Sequence, residues 1–318
     1  MEHVHVVVAT DDLYAQHVGV MFVSMLENKQ GNYPLTLHVI DGGISAENIA
    51  RLQLIARQYA VELQMITPDI SRYADLISSV SYVSHATFYR LSITEFLDTH
   101  IEKAIYLDCD VIIKQDIYPL WATDISTHSI AAVKDYQIEN PKRKSPVNPY
   151  KDQLGIPESG TYFNAGVLLI NLHKWREEQF GQQLLAYIQE HGAALPFSDQ
   201  DALNAFFHDD CYFLPACWNQ QPQVYRLPYY RTDKQCIAKP AIIHYIGRRK
   251  PWSAACTHPL RHVYLRYLAL SPWKNFRAPD QSFANALLRM NGHALNMLRY
   301  LHYRSPLSHL FLTEPEQE

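Results

Sequence analysis

Glycine is scarce in this chain, with 11 among 318 residues. No G-x-G-x-x-G and no G-x-x-x-x-G-K-[ST] occurs, which excludes the two common backbone cradles for phosphate. Any nucleotide must have its phosphates neutralised by metal and side chains. Cysteine is also sparse: Cys109, Cys211, Cys217, Cys236 and Cys256 make an odd set with no C-x-x-C pair. That excludes a zinc knuckle and a disulfide framework and reads as reduced thiols in a cytosolic protein. No apolar run approaches the ~20 residues of a membrane-spanning helix. The amino terminus, M-E-H-V-H-V-V-V-A-T, has no basic n-region and too short an apolar run for a secretion signal. The expected location is the cytoplasm. Positive charge is not in excess: a formal net charge of -4 argues against nucleic acid as a partner.

Apolar mass is plentiful. The chain is 47 % hydrophobic and 19 % charged, the composition of a globular protein with a sizeable core. Residues 5–9 read as a buried strand that stops at Thr10-Asp11-Asp12. A helix follows with Val18, Phe22, Met25 and Leu26 on one face. Residues 35–40 form a second strand, ended by Asp41-Gly42-Gly43; Ser45 then caps a helix that turns Ile49, Leu52 and Ala56 inward. Residues 61–66 are a third strand. Strands alternating with helices predict an α/β fold, its mainly parallel sheet covered on both faces.

Further along, residues 87–96 read as helical, and 104–107 and 130–133 as strands. Pro141, Pro146, Pro149 and Pro157 mark 137–160 as a surface loop, which also carries Lys142, Arg143 and Lys144. Residues 162–172 resume regular structure, followed by helices near 175–190 and 200–207 and a last strand at 241–245. The tail differs. Phe283, Leu287, Met290, Ala294, Leu298 and Leu301 recur at helical spacing, with Arg289, Arg299 and Arg304 and no acid between 281 and 313. This pattern fits a basic amphipathic helix lying on an anionic membrane, and equally a helix packed on the domain's own core. The expected division is a catalytic domain over 1–275 and a helical tail over 276–318.

The stretch Y-L-D-C-D-V-I-I, residues 106–113, sets Asp108 and Asp110 in an apolar run where a strand ends. Burying a carboxylate is costly unless it is paired or binds a metal. In open α/β sheets ligands sit at the carboxyl ends of strands. In extended backbone, residues two apart point the same way, so both acids can face one ion, and oxygen ligands suit Mg²⁺ or Mn²⁺. A D-x-D alone is also the composition of a solvated turn.

Three further blocks accompany it. In F-N-A-G-V-L-L-I-N-L, 163–172, Asn164 can donate to and accept from hydroxyls, and Gly166 permits close backbone approach. In P-F-S-D-Q-D-A-L-N, 196–204, Ser198 and Asp201 fit a capping box, which leaves Gln200 unexplained and only mildly favours Asp199. In I-I-H-Y-I-G-R-R-K-P-W, 242–252, His244 ends a strand, where a satisfied core histidine is also common; Gly247, Arg248, Arg249 and Lys250 follow, cations that could meet a diphosphate.

Taken together and in this order, from V-V-V-A-T-D-D-L-Y-A to K-P-W, these blocks resemble glycosyltransferase family 8, with the nearest likeness to bacterial lipooligosaccharide α-1,4-galactosyltransferases. The resemblance implies a GT-A type, Rossmann-like fold, a UDP-sugar donor, Mn²⁺ with Mg²⁺ as a substitute, and retention at the anomeric carbon. By the same resemblance Asp108, Asp110 and His244 are the metal ligands. Ala9, Asp11 and Tyr14 form the uridine pocket, with Tyr14 stacked on uracil and Asp11 accepting its N–H. Arg90, in A-T-F-Y-R-L, reaches the donor sugar, and Asp135, Asn164, Asp199 and Gln200 hold its hydroxyls. Gly247 and Lys250 belong to a loop that closes over the diphosphate. This chain departs at Leu13, where an asparagine is expected near the nucleotide, and at Phe197, where a tyrosine is expected near the acceptor.

The implied reaction moves galactose from UDP-galactose to a saccharide or glycolipid acceptor, the growing lipooligosaccharide core; UDP-glucose differs only at the C4 hydroxyl. If the acceptor is a glycolipid, the enzyme works peripherally on the cytoplasmic face of the inner membrane. Closure of loops 78–84 and 246–251 would exclude water. Retention requires same-face attack or a covalent intermediate. Gln200 is the residue the family places beneath the sugar, and an amide is a poor nucleophile; Asp199 and Asp201 are the alternatives, so same-face attack is expected. A haloacid dehalogenase-type phosphatase also uses strand-D-x-D, but on its first strand and with a hydroxyl residue where this chain has Ile112.

Overall fold

The structure, a computed structural model, describes residues 2–73, 76, 85–139, 149–225, 238–290, 292 and 294. It begins with β1 (Val4–Thr10), whose β-branched side chains alternate between two cores. Val6 and Val8 pack with Val18, Phe22 and Met25, while Val7 and Ala9 pack with Tyr89 and Leu91. Asp11 ends the strand and starts α1 (Asp12–Glu27): its Oδ1 accepts the Tyr14 N–H at 3.1 Å. α1 is buried nearly all round rather than on one face, because the sheet, α2 (Ala46–Gln58) and the late helix Arg261–Leu270 all pack on it. The expected cap on α2 is present, with the Ser45 hydroxyl accepting the Asn48 N–H at 3.3 Å.

The strands β2 (Leu35–Asp41), β3 (Glu62–Ile66), β4 (Lys103–Leu107), β5 (Val111–Ile113), β6 (Ile130–Lys134), β7 (Phe163–Asn171), β8 (Cys211–Phe213) and β9 (Ile242–His244) complete the set. Seven form one sheet in the order β3-β2-β1-β4-β7-β6-β8. The sheet is mainly parallel, but β7 runs antiparallel to both β4 and β6. The run 241–245 does not join it. Its core, β9, pairs antiparallel with β5 in a small second sheet. Hydrophobicity predicts that such a run is buried; it does not say which strand will be its neighbour.

Shorter helices fill the connections: α3 (Ile93–Phe96), α4 (Tyr118–Trp121), α5 (Pro149–Gln153), α6 (Leu172–Glu177), α7 (Phe180–His191) and α8 (Asp199–Phe207), with α9 at Arg261–Leu270. The expected helix over 87–96 is a 3₁₀ helix, His85–Ser92, followed by α3. The expected helix over 175–190 is broken by Gln179, whose φ of 55° interrupts the right-handed spiral between α6 and α7. The loop expected over 137–160 contains α5, and Lys151 is buried there, donating to the Glu158 and Gly160 carbonyls at 3.2 and 2.5 Å. Residues 140–148 lie outside the described part, as does the loop 78–84 expected to close over the site. In the tail, residues 283–290 are helical, and Phe283 and Met290 are 86 % and 65 % exposed. Leu298, Arg299, Leu301 and Arg304 lie outside the described residues. Among the described residues no helix is long and apolar enough to cross a membrane.

Candidate functional site

The chain leaves β4 at Asp108, whose N–H still bonds the Gly166 carbonyl of β7 at 2.9 Å. Residues 109 and 110 then form a turn instead of extended backbone. The acids therefore do not share a strand face as expected; the turn and the β5–β9 pairing bring them together. Val111 pairs with His244, and the Tyr245 N–H bonds the Asp110 carbonyl at 3.0 Å. His244 Nε2 lies 3.2 Å from Asp110 Oδ1 and 3.8 Å from Asp108 Oδ2. One ligand atom from each of Asp108, Asp110 and His244 lies within 4.8 Å of the others, the one such cluster among the described residues. Two carboxylate oxygens and an imidazole nitrogen at that separation fit a single divalent cation.

Cationic side chains close the cluster. Lys250 Nζ bonds Asp110 Oδ2 and donates to the Tyr245 carbonyl at 3.1 Å. Burial alone would raise the Asp110 carboxyl, but the Lys250 ammonium beside it outweighs that and holds it below the usual range. Burial disfavours the Lys250 ammonium, and Asp110 more than restores it, so its pKa is raised. Gly247, in the same loop, has φ +98°, the left-handed region that favours glycine.

Arg90 joins this cluster to the start of α8. Its NH2 group is 2.9 Å from Asp108 Oδ1, and its Nε is 2.8 Å from Asp199 Oδ2 while bonding the Thr87 carbonyl. Its NH1 donates to the Ala165 carbonyl at 2.7 Å. Burial pushes the Asp199 carboxyl up to about 6, more than Arg90 and the Thr87 hydroxyl pull it down.

Beyond Arg90 lies a net of amides. Asn164 Nδ2 donates to Asp135 Oδ2 and to Gln200 Oε1, each at 3.1 Å. The Ala165 N–H also donates to Gln200 Oε1, at 3.0 Å, and Gln200 Nε2 donates to Asp135 Oδ2 at 3.2 Å. A β-bulge in the β6–β7 ladder, between Ala132 and Val133 opposite Asn164, helps to aim these groups. Asp201 is already engaged: its oxygens accept from the Tyr162 hydroxyl at 2.6 Å and the Phe197 N–H at 2.7 Å. The expected capping box is not formed, since Asp201 reaches the Phe197 N–H while the Ser198 N–H bonds the Leu195 carbonyl. Ser198 makes no side-chain cap bond and has φ 55°.

Ala9, Asp11, Tyr14, Arg90, Asp108, Asp110 and Lys250 line a cleft of about 190 Å³. Asp135, Asn164, Asp199 and Gln200 are joined to it through Arg90 and the amide net, and Leu13 projects outward at 81 % exposure. Larger grooves of about 620 and 560 Å³ lie elsewhere and lack the cation cluster. Sequence reasoning missed Thr87, Tyr162 and the buried run Asn219-Gln220-Gln221. Gln221 holds the turn of Asp135, its Oε1 accepting the Tyr136 N–H at 2.9 Å. Adjacent polar residues after Trp218 are the one signal, and they read equally well as exposed loop.

A mixed α/β sheet with its Asp-Asp-His cluster at the end of a central strand is a GT-A type fold. A match to glycosyl transferase family 8 spans residues 5–256, and the chain belongs to that family. It is 33 % identical to general stress protein A of Bacillus subtilis, over 87 % of this chain and 97 % of that one. It is 27 % identical to the lipopolysaccharide 1,3-galactosyltransferase of Salmonella typhimurium, over 84 % and 78 %. The crystal structure of the galactosyltransferase LgtC with donor and acceptor sugar analogues superposes with a TM-score of 0.75 at 28 % identity, covering 84 % of this chain and 96 % of that one. The phosphatase alternative finds no support, since its family is not the one matched and the acids follow the fourth strand.

Proposed function

We propose that the protein transfers galactose from UDP-galactose to a saccharide acceptor with retention of configuration, and that the acceptor is the growing lipooligosaccharide core. The observation that carries the reading is the convergence of Asp108, Asp110 and His244 beside Lys250. Those ligands would hold Mn²⁺, which supplies positive charge against the departing diphosphate. The imidazole nitrogen favours Mn²⁺ over Mg²⁺. Ala9, Asp11 and Tyr14, which line the same cleft, bind the uridine. Lys250 and Gly247 close on the diphosphate, where the ammonium stabilises charge that develops as the bond to C1 breaks.

Asp135, Asn164, Asp199 and Gln200 orient the sugar hydroxyls, with Arg90 keeping Asp199 and Asp108 in register. Gln200 Oε1 already accepts from Asn164 and Ala165, which weakens it further as a nucleophile and supports same-face attack, with the leaving phosphate oxygen taking the acceptor proton. Exposed Phe283, Leu287 and Met290 beside Arg277 and Arg289 support a tail over 276–318 that holds the enzyme against an anionic membrane, on its cytoplasmic face.

The deciding experiment is a panel of UDP-sugars with Mn²⁺, scored by transfer to lactose. Galactosyl transfer that EDTA abolishes is expected, and preferential use of UDP-glucose would reassign the donor. No transfer or hydrolysis with any UDP-hexose would overturn the reading. Deleting 281–318 is expected to move the protein from the membrane to the soluble fraction while sparing transfer to lactose; loss of folding instead would mean that the tail packs on the core.

A further inference from the structure

We propose that Asn219 is a positioning residue that sets the ring tautomer of His244 and ties the cation cluster to the amides that orient the donor sugar. The inference rests on the reading of Asp108, Asp110 and His244 as cation ligands. Asn219 is fully buried at the end of the 3₁₀ helix Ala216–Asn219.

The direction of each hydrogen bond can be traced from groups that have only one role. The Gly166 N–H can only donate, and it meets Asn164 Oδ1 at 3.1 Å. The Asn164 amide is therefore oriented with its oxygen there and its NH₂ toward Asp135 and Gln200. The same oxygen is 2.8 Å from Asn219 Nδ2, which must be the NH₂ end of that amide. Asn219 Oδ1 is then left facing His244 Nδ1 at 2.9 Å. An amide oxygen only accepts, so Nδ1 must carry a hydrogen, and Nε2, which faces Asp108 and Asp110, is the nitrogen left to bind a cation. A backbone N–H on β7 thus dictates, through two buried amides, which nitrogen of His244 can bind a cation.

Backbone contacts keep the pair in register. The Gln220 N–H bonds the Ile242 carbonyl at 2.9 Å, and the His244 N–H bonds the Gln220 carbonyl at 3.0 Å. Asn219 and His244 are therefore laced together by the neighbouring residue. Displacement of one displaces the other, and through Asn164 the sugar-holding net.

The wild-type protein supplies the first test. Long-range ¹H–¹⁵N spectra of ¹⁵N-histidine protein with the site filled by diamagnetic Mg²⁺, His244 being identified by its loss in His244→Gln, are expected to show a protonated Nδ1 and an unprotonated Nε2. The opposite tautomer would overturn the proposal without any variant at Asn219. The second test is Mn²⁺ binding followed by EPR. Asn219→Ala is expected to weaken Mn²⁺ about 10–100-fold, the usual cost of removing a partner that orients a ligating histidine. Asn219→Asp retains the acceptor for His244 but loses the donor to Asn164. It should bind Mn²⁺ within about threefold of wild type while turnover falls, a split that a merely space-filling residue would not produce. If His244→Ala weakens Mn²⁺ binding and Asn219→Ala does not, this proposal fails alone. If His244→Ala leaves Mn²⁺ binding unchanged, the ligand assignment fails and takes the proposal with it.

Discussion

Gly166 lies directly under His244: a Cβ on Gly166 would stand 2.2 Å from His244 Cε1 and 2.8 Å from Asp108 Oδ2. Neither neighbour can yield, because His244 is held by β9 and Asn219, and Asp108 by Arg90. Gly166→Ala is therefore expected to cost about 1–3 kcal/mol through overpacking. It should also weaken Mn²⁺ binding at least tenfold, on the scale of other losses of ligand orientation. Chemical unfolding and Mn²⁺ EPR on the same preparation check both effects. Unchanged Mn²⁺ affinity would show that the cation does not sit against His244.

Asp110 is the acid most tightly engaged, touching both Lys250 and His244. Asp110→Asn is expected to abolish transfer with the fold intact, because one carboxylate ligand is gone. Lys250→Met should lower kcat by about 10²–10³-fold with smaller change in Mn²⁺ affinity, the scale for losing one donor to a developing anion. Near-normal turnover of the Asp110→Asn protein at saturating Mn²⁺ would refute the assignment.

Gln200 contributes hydrogen bonds to Asp135 and the Tyr162 hydroxyl as well as accepting from Asn164 and Ala165. As an orienting group it should leave residual turnover when removed. Gln200→Ala is expected to retain about 1 % of kcat, the lower end of the loss for one oriented polar group. Complete inactivity with UDP binding unchanged would favour a covalent role instead.

Stability is expected to fall on acidification between pH 6.5 and 4. Burial lowers His5 and His38 from 6.5 to about 4 and His17 to about 3. Over that interval the unfolded chain binds protons at these positions and the folded chain does not, so stability rises with pH and is lost as pH falls. Asp199, raised from 3.8 to about 6, works in the opposite direction over the same range, and Asp201 is raised as well. Thermal midpoints at pH 7, 6 and 5 should decline for wild type and decline less for a His5→Gln, His38→Gln double variant. Equal slopes in the two proteins would contradict the assignment.

Ser198 holds φ 55° and ψ -120° immediately before Asp199, and its buried hydroxyl has no hydrogen-bond partner. Such backbone costs a side-chain-bearing residue on the order of 1–3 kcal/mol, and glycine adopts it freely. Ser198→Gly is expected to raise the thermal midpoint, offset in part by the greater entropy of the unfolded glycine, with kcat within about twofold of wild type. A lower midpoint would mean that Ser198 contributes packing that outweighs the strain.

The local elements of this protein could be read from its residues. Val4–Thr10 is strand because a β-branched run buried on both faces has few alternatives, and Asp11 and Ser45 announce the helices they cap. Asp108, Asp110, Asn164 and His244 were also visible, because each is a polar group that an apolar strand or its end has no packing reason to contain, and Gln200 because the capping pattern around it leaves it unexplained. Asn219 and Tyr162 were not, since a buried amide or phenol carries no mark until its partners are known. Nor could the residues reveal that β7 reverses the sheet, or that Val111 pairs with His244. Composition and periodicity act over a few neighbours along the chain and settle what is buried and in what conformation. The turn at Asp110, the ring orientation of His244 and the polarity of the amide net depend on hydrogen bonds between distant segments, and those bonds exist only once the segments have packed.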